Sequence, residues 1–184
     1  MDITQEYLDI RMIRHNLDTI PDYGVPDGYS IRWYQPGDEQ LWCNIHVLAD
    51  KYTQVTPELF VREFGSNMTI LTERQCFLID GKDAPAGTAS AWFEDRNEQS
   101  PGRIHWVAIV PEEQGKGLAK TLLSAVCNRL KELGHSNAYL TTQTVRIPAI
   151  NLYLKFGFIP AIGSERDKQI WRRLQNHLKY TIHV

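Results

Sequence analysis

Apolar and polar positions along this chain switch repeatedly between a two-residue and a 3.6-residue period. Residues 28–34 (GYSIRWY) alternate and predict a first strand. Pro36-Gly37-Asp38 forms a turn, with Asp38 as N-cap of a helix over 39–52 that carries Leu41, Trp42, Ile45, Leu48 and Ala49 at helical spacing. Thr56-Pro57-Glu58 reads as N-cap, N1 and N2 of a second helix, which runs to Phe64 and closes at Gly65. Strands over 76–79 and 87–93 flank the hairpin signal Asp80-Gly81-Lys82-Asp83, and residues 94–102 make a polar loop.

The strongest pattern follows. Residues 104–110 (IHWVAIV) are β-branched, aromatic and uncharged, as expected of a buried strand. Pro111 cannot donate to a ladder and ends it. From Leu118 the chain takes up helical spacing, with Leu118, Leu122, Val126, Leu130 and Leu133 on one face, until Gly134 stops it. A strand over 137–142 precedes a helix that begins near Pro148 and ends at Gly157, and Phe158-Ile159 starts another strand. Ser164 and Asp167 form a capping box for a helix over 164–178, and residues 180–183 are expected to add a short strand. Residues 1–27 read as an arm wrapped on the domain. The order predicts an α/β (α+β layered) fold, one domain over 1–184 with a mixed sheet and helices on both faces.

Between the buried strand and its helix lies Gln114-Gly115-Lys116-Gly117-Leu118-Ala119-Lys120. Glycines there permit positive φ and close approach of a ligand to the main chain. The first N–H groups of a helix lack internal partners, and the helix dipole adds partial positive charge, so an anion fits at that end. Lys116 adds a full charge. An ordinary strand-to-helix turn that binds nothing is the alternative. The turn is not a P-loop, having no Gly-Lys-Ser/Thr at the required spacing. Nor is it a dinucleotide fingerprint, because Lys120 stands where the third glycine should be.

Gln114, Gly117 and Ala119 resemble motif A of the GNAT superfamily of acyl-CoA N-acyltransferases, Q/R-x-x-G-x-G/A. Ala149, Leu152, Tyr153, Lys155, Gly157 and Phe158 resemble its motif B, A-x-x-L-Y-x-K-x-G-F. The resemblance covers about 104–160 and implies a mostly antiparallel sheet with a splayed central strand pair. It implies that main-chain groups of Val107, Ala108 and Ile109 pair with the pantetheine arm of acetyl-CoA, the cosubstrate. The turn, Gln114 to Lys120, would hold the pyrophosphate. Tyr153 would act as general acid on the leaving thiolate; a tyrosine merely packed between helix and sheet is the bland reading. Arg146 stands where family members often carry asparagine, and serves either the phosphates, a substrate carboxylate or only the surface.

Acyl transfer also needs a base. Arg103 occupies the position where some relatives place a glutamate; His105, two residues along, titrates in the right range. A core histidine held by a backbone partner is equally a reading of His105. Glu94 and Asp95, at the mouth of the preceding strand, are alternatives. The function expected is acetyl transfer to a primary amine of a small molecule or peptide, by direct attack. A catalytically silent acyl-CoA-binding regulator is the second reading, and the intact Tyr153 favours the first.

Composition narrows the field. With 20 Lys and Arg against 22 Asp and Glu, the formal charge is −2, so no basic surface for nucleic acid is expected. No apolar run approaches a membrane span, and an acidic first segment unlike a signal peptide points to the cytoplasm. Cys43, Cys76 and Cys127 have neither metal-ligand nor disulfide spacing, and no metal is expected. The acceptor is not legible; a homodimer is compatible with the reading.

Overall fold

The computed structural model describes residues 2–94 and 100–183. Strands β1 (Asp9–Arg14), β2 (Tyr29–Trp33), β3 (Gln75–Asp80), β4 (Pro85–Phe93), β5 (Gly102–Ile109), β6 (Ala138–Gln143) and β7 (Ile159–Pro160) form one sheet in the order β2-β3-β4-β5-β6-β1-β7. Every neighbouring pair is antiparallel except β5 and β6. The helices are α1 (Asp38–Ala49), α2 (Pro57–Phe64), α3 (Met68–Arg74), α4 (Leu118–Glu132), α5 (Ile147–Lys155) and α6 (Glu165–Leu174). The mixed, layered fold is the one expected.

Two apolar clusters, one on each face of the sheet, hold the layers together. On one face α4, α5 and α6 supply Leu122, Val126, Ile150, Phe156 and Trp171 against Ile10, Met12, Leu78 and Leu140. On the other, α1 and α2 supply Trp42, Ile45, Phe60 and Phe64 against Phe77, Ile79 and Trp92. Burial of these side chains contributes roughly 1.5–3 kcal/mol each before entropy is counted. α4 ends in a Schellman motif, with Gly134 N–H on the Lys131 carbonyl and His135 N–H on Leu130. The expected caps at Thr56 and Ser164 are present, each side-chain oxygen accepting from the backbone N–H three residues on.

Four expectations are corrected. Residues 1–27 are not merely an arm, because Asp9–Arg14 inserts between β6 and β7. Its alternation is real (Ile10, Met12 and Arg14 face inward), but the third inward residue is an arginine, which disguised the period. Arg14 donates to the Phe156 carbonyl at the C-terminal end of α5 and to the Thr19 carbonyl, so its buried charge is met by backbone oxygens and a helix dipole. Gly37, not Asp38, is the N-cap of α1, and this helix stops at Ala49. Asp38 instead accepts from the Gln35 N–H and pairs with Arg32 at 2.6 Å. Helix α3 was not expected; Asn67 caps it through the Ile70 N–H. Residues 180–183 pair with no strand among the described residues.

Candidate active site

The site begins with a break in register. Gly87 and Thr88 face Ile109 and Ala108, but Ser90 faces His105, so β5 carries one residue more than β4. At the bulge Trp106 adopts φ +49°, a conformation that costs a non-glycine residue about 1–3 kcal/mol. Its surroundings impose it. The indole stands edge-on to Trp42 (5.0 Å) and His46 (4.9 Å), and Nε1 donates to Glu63 Oε2 at 3.0 Å. A side chain at Gly87 would put its Cβ 2.6 Å from the Ala108 carbonyl, so only glycine lets β4 lie this close to the bulge.

On its other side β5 pairs with β6 only at Gly102–Ala138 and Arg103–Tyr139. Beyond Arg103 the two strands have no ladder, and the main chain of Val107, Ala108 and Ile109 follows the parting. β5 then runs through the 3₁₀ turn Pro111–Glu113 into the glycine turn. Gly115 (φ +79°) and Gly117 (φ +84°) are both left-handed, and Gly117 caps α4 without any side chain. No acid lies in the first turn of α4. Gln114 is tied to the strand end through Nε2 on the Ile109 carbonyl, 2.9 Å. Leu118 is buried in the core, and so only its backbone can serve a ligand. Lys116 holds Glu113 at 2.9 Å, and Glu113 accepts from the Tyr29 hydroxyl. Lys120 and Lys155 sit 5.5 and 5.3 Å from the Tyr23 ring, which brings two ammonium groups together beside α4.

Tyr153 lies in the α5 side of the core, 7% exposed, edge-on to Phe158. Burial raises its hydroxyl to about 12, against the pull of the Arg146 charge, so it stays protonated at neutral pH. Arg146 is the N-cap of α5, two helical turns before Tyr153 and on the same side. It donates to Asp50 Oδ2 (2.8 Å) and Gln143 Oε1 (2.7 Å), bridging the end of α1 to the start of α5.

His105 faces the other layer, against Phe64 of α2. Its Nε2 lies 3.1 Å from Glu63 Oε2, near enough for charge attraction though not aligned as a hydrogen bond. The group that faces Nε2 is therefore a carboxylate. Burial lowers the imidazole to about 4; contact with His105 chiefly holds Glu63 at about 2. His46 is buried more deeply and lowered to about 3, again by burial. Glu94 stands apart from this cluster, its side chain 63% exposed and 3.7 Å from Arg11. Asp95 lies outside the described residues. Glu63 and His46 carried no sequence signal: each sits on an amphipathic helix where a polar residue is unremarkable, and only docking on the Trp106 bulge gives it a role.

An open layered sheet, a bulged strand parted from its parallel neighbour, and a glycine turn at the head of the next helix define the class of fold. Residues 40–158 match the model of the acetyltransferase (GNAT) family, and the chain belongs to that family. A mycothiol acetyltransferase of Nocardia farcinica is 39% identical over 166 residues, covering 83% of this chain and 53% of that protein. One from Pseudarthrobacter chlorophenolicus is 27% identical over 164 residues, 84% of this chain and 49% of the relative. The chain thus spans about half the length of these relatives. Among solved structures, a GCN5-related N-acetyltransferase from Sphaerobacter thermophilus superposes with TM-score 0.66 at 22% identity, over 84% of this chain and 50% of that one. No helix among the described residues is long and apolar enough to cross a membrane.

Proposed function

We propose that this chain transfers an acetyl group from acetyl-CoA to a primary amine of a small molecule or peptide. The observation that carries the reading is the parting of β5 from β6 immediately before a glycine-capped helix N-terminus. The main chain at Val107, Ala108 and Ile109 has no ladder on its β6 side, which is suited to pair with a pantetheine arm. The amides from Gln114 to Lys120 point the partial charge of α4 at a pyrophosphate, with Lys116 and Lys120 adding full charges.

Chemistry would take place where the strands part. Tyr153 and His105 belong to opposite layers, so a thioester lying in the gap meets one from each side. The amine nitrogen attacks the carbonyl carbon, the C–N bond forms and the C–S bond breaks. Tyr153 gives its proton to the departing sulfur. His105 is neutral near pH 7 and can take the ammonium proton through water, Glu63 stabilising the imidazolium that results. Its low pKa limits its strength as a base, so the amine must lose most of its proton on desolvation. Glu94, exposed and removed from this cluster, is the weaker choice. Arg146 keeps α5 in register with α1 and holds positive charge near Tyr153. Three buried free cysteines fit a reducing, cytoplasmic compartment.

Calorimetric titration with acetyl-CoA, followed by thiol release over a panel of amines, tests the reading. Tight binding lost on Gly117→Ala, with turnover of some amine, is expected. Binding without turnover on every amine would support the silent module, and absence of binding would remove both.

A further inference from the structure

Helices α1 and α2 cover only part of their face of the sheet. They lie over β3, β4 and β5. The register places Arg103 of β5 beside Tyr139 of β6, which in turn faces Ile13 of β1, with Arg11 one step along the same side. The Tyr139 ring is consequently clasped by two cations. The Arg11 guanidinium lies 4.0 Å from the ring centroid and that of Arg103 5.9 Å. Arg103 forms no ion pair among the described residues, and its Nε is buried without a hydrogen bond. Buried too, the Tyr139 hydroxyl has no hydrogen bond of normal geometry, though Glu94 is close enough to act on it electrostatically. Among the described residues the ion pair of Arg11 is the loose, exposed one with Glu94. Among the described residues two guanidinium groups thus flank one ring, with Glu94 near Arg11 and Tyr139 and with Glu63 near enough to Arg103 to act on it through charge, and both orphaned atoms are donors. A buried donor left unmatched carries its desolvation cost uncompensated, which an acceptor atom supplied from outside would recover.

Arg103 is also the last β5 residue paired with β6 before the strands part, two residues from His105 on the same face. That spacing is about 6.8 Å along the strand. Resting on the acetyl-transfer reading above, we propose that Arg103 and Arg11, over Tyr139, form an anion subsite that selects amines bearing a carboxylate or phosphate a few bonds from the nitrogen. The anion would dock on the guanidinium fork, whose planar donors match either group, and this orientation would carry the amine toward His105.

Titration of ¹⁵N-labelled protein with inorganic phosphate or acetate, against chloride at equal ionic strength, follows the Arg103 Nε–H resonance by NMR. A saturable shift is expected, weakened at least fivefold by Arg11→Gln, which alters only an exposed side chain. Phosphate shifting it and acetate not, or the reverse, names the anion. No shift with either anion overturns the proposal, whatever the activity screen returns. Kinetics adds a second arm, comparing ethanolamine phosphate with ethanolamine and 4-aminobutyrate with its amide. Turnover of an anionic member at tenfold or greater advantage in kcat/KM, erased through KM by Arg103→Gln, is the supporting result. Equal use of the neutral members would refute it. Acetyl-CoA binding, measured separately by calorimetry, tells a failure of this subsite from a failure of the acetyl-transfer reading.

Discussion

Replacing His46 by phenylalanine isolates one buried titratable ring. His46 is 2% exposed, packed on Trp42 at 4.4 Å and Trp106 at 4.9 Å. Burial depresses its pKa from 6.5 to about 3, outweighing the nearby Asp50 charge. The folded state therefore binds fewer protons than the unfolded chain as pH falls below 6.5. Stability from this group is complete above that value and is lost as pH drops toward 3. At pH 5 the unfolded histidine is almost fully protonated and the folded one is not. Linkage then gives a loss of about 2 kcal/mol between pH 7 and pH 5, and this figure barely depends on how far below 5 the folded value lies. His105, lowered to about 4, adds about the same. Buried His135 shifts the same way. Carboxylates contribute little here, since Glu63, held at about 2, gives up its stabilisation only below the usual carboxylate range. Urea unfolding at both pH values measures the effect. The wild-type protein should lose at least about 4 kcal/mol on going to pH 5, and His46→Phe should lose about 2 kcal/mol less. The comparison is internal to each variant, so any packing cost of the phenylalanine cancels. An identical pH 7-to-5 loss in both proteins would refute the assignment of a neutral, desolvated His46.

Three further outcomes are expected. Tyr153→Phe should bind acetyl-CoA normally in calorimetry while kcat falls roughly 10²–10⁴-fold, the usual worth of a general acid; full turnover would remove that role. Gly117→Ala should cost about 1–2 kcal/mol of stability, because φ +84° is left-handed, and should weaken acetyl-CoA binding beyond what thermal melting alone explains. Arg14→Met should destabilise the fold by roughly 2–3 kcal/mol, seen in urea unfolding, by leaving the Phe156 and Thr19 carbonyls without their charged donor.

What the chain declares locally came through intact. The buried strand ending at Pro111, the glycine turn, the helix from Leu118 to Gly134 and the caps at Thr56 and Ser164 depend on residues within a few positions of one another. Local sterics and short-range hydrogen bonds decide them. The motif tyrosine was likewise legible, since its neighbours along the helix announce it. Pairing partners decided the rest. That β5 parts from β6 after Arg103 depends on which strand lies beside it, and the insertion of β1 between β6 and β7 joins residues more than 120 positions apart. Glu63 meets His105 because α2 docks on a bulge whose left-handed residue is a tryptophan, a conformation no local propensity favours. Arg14, in the segment read as an arm, is buried because its charge meets the Phe156 carbonyl at the end of α5 and the Thr19 carbonyl. Burial of charge and strained backbone are stable only when distant parts of the chain meet them, so these features are properties of the folded whole.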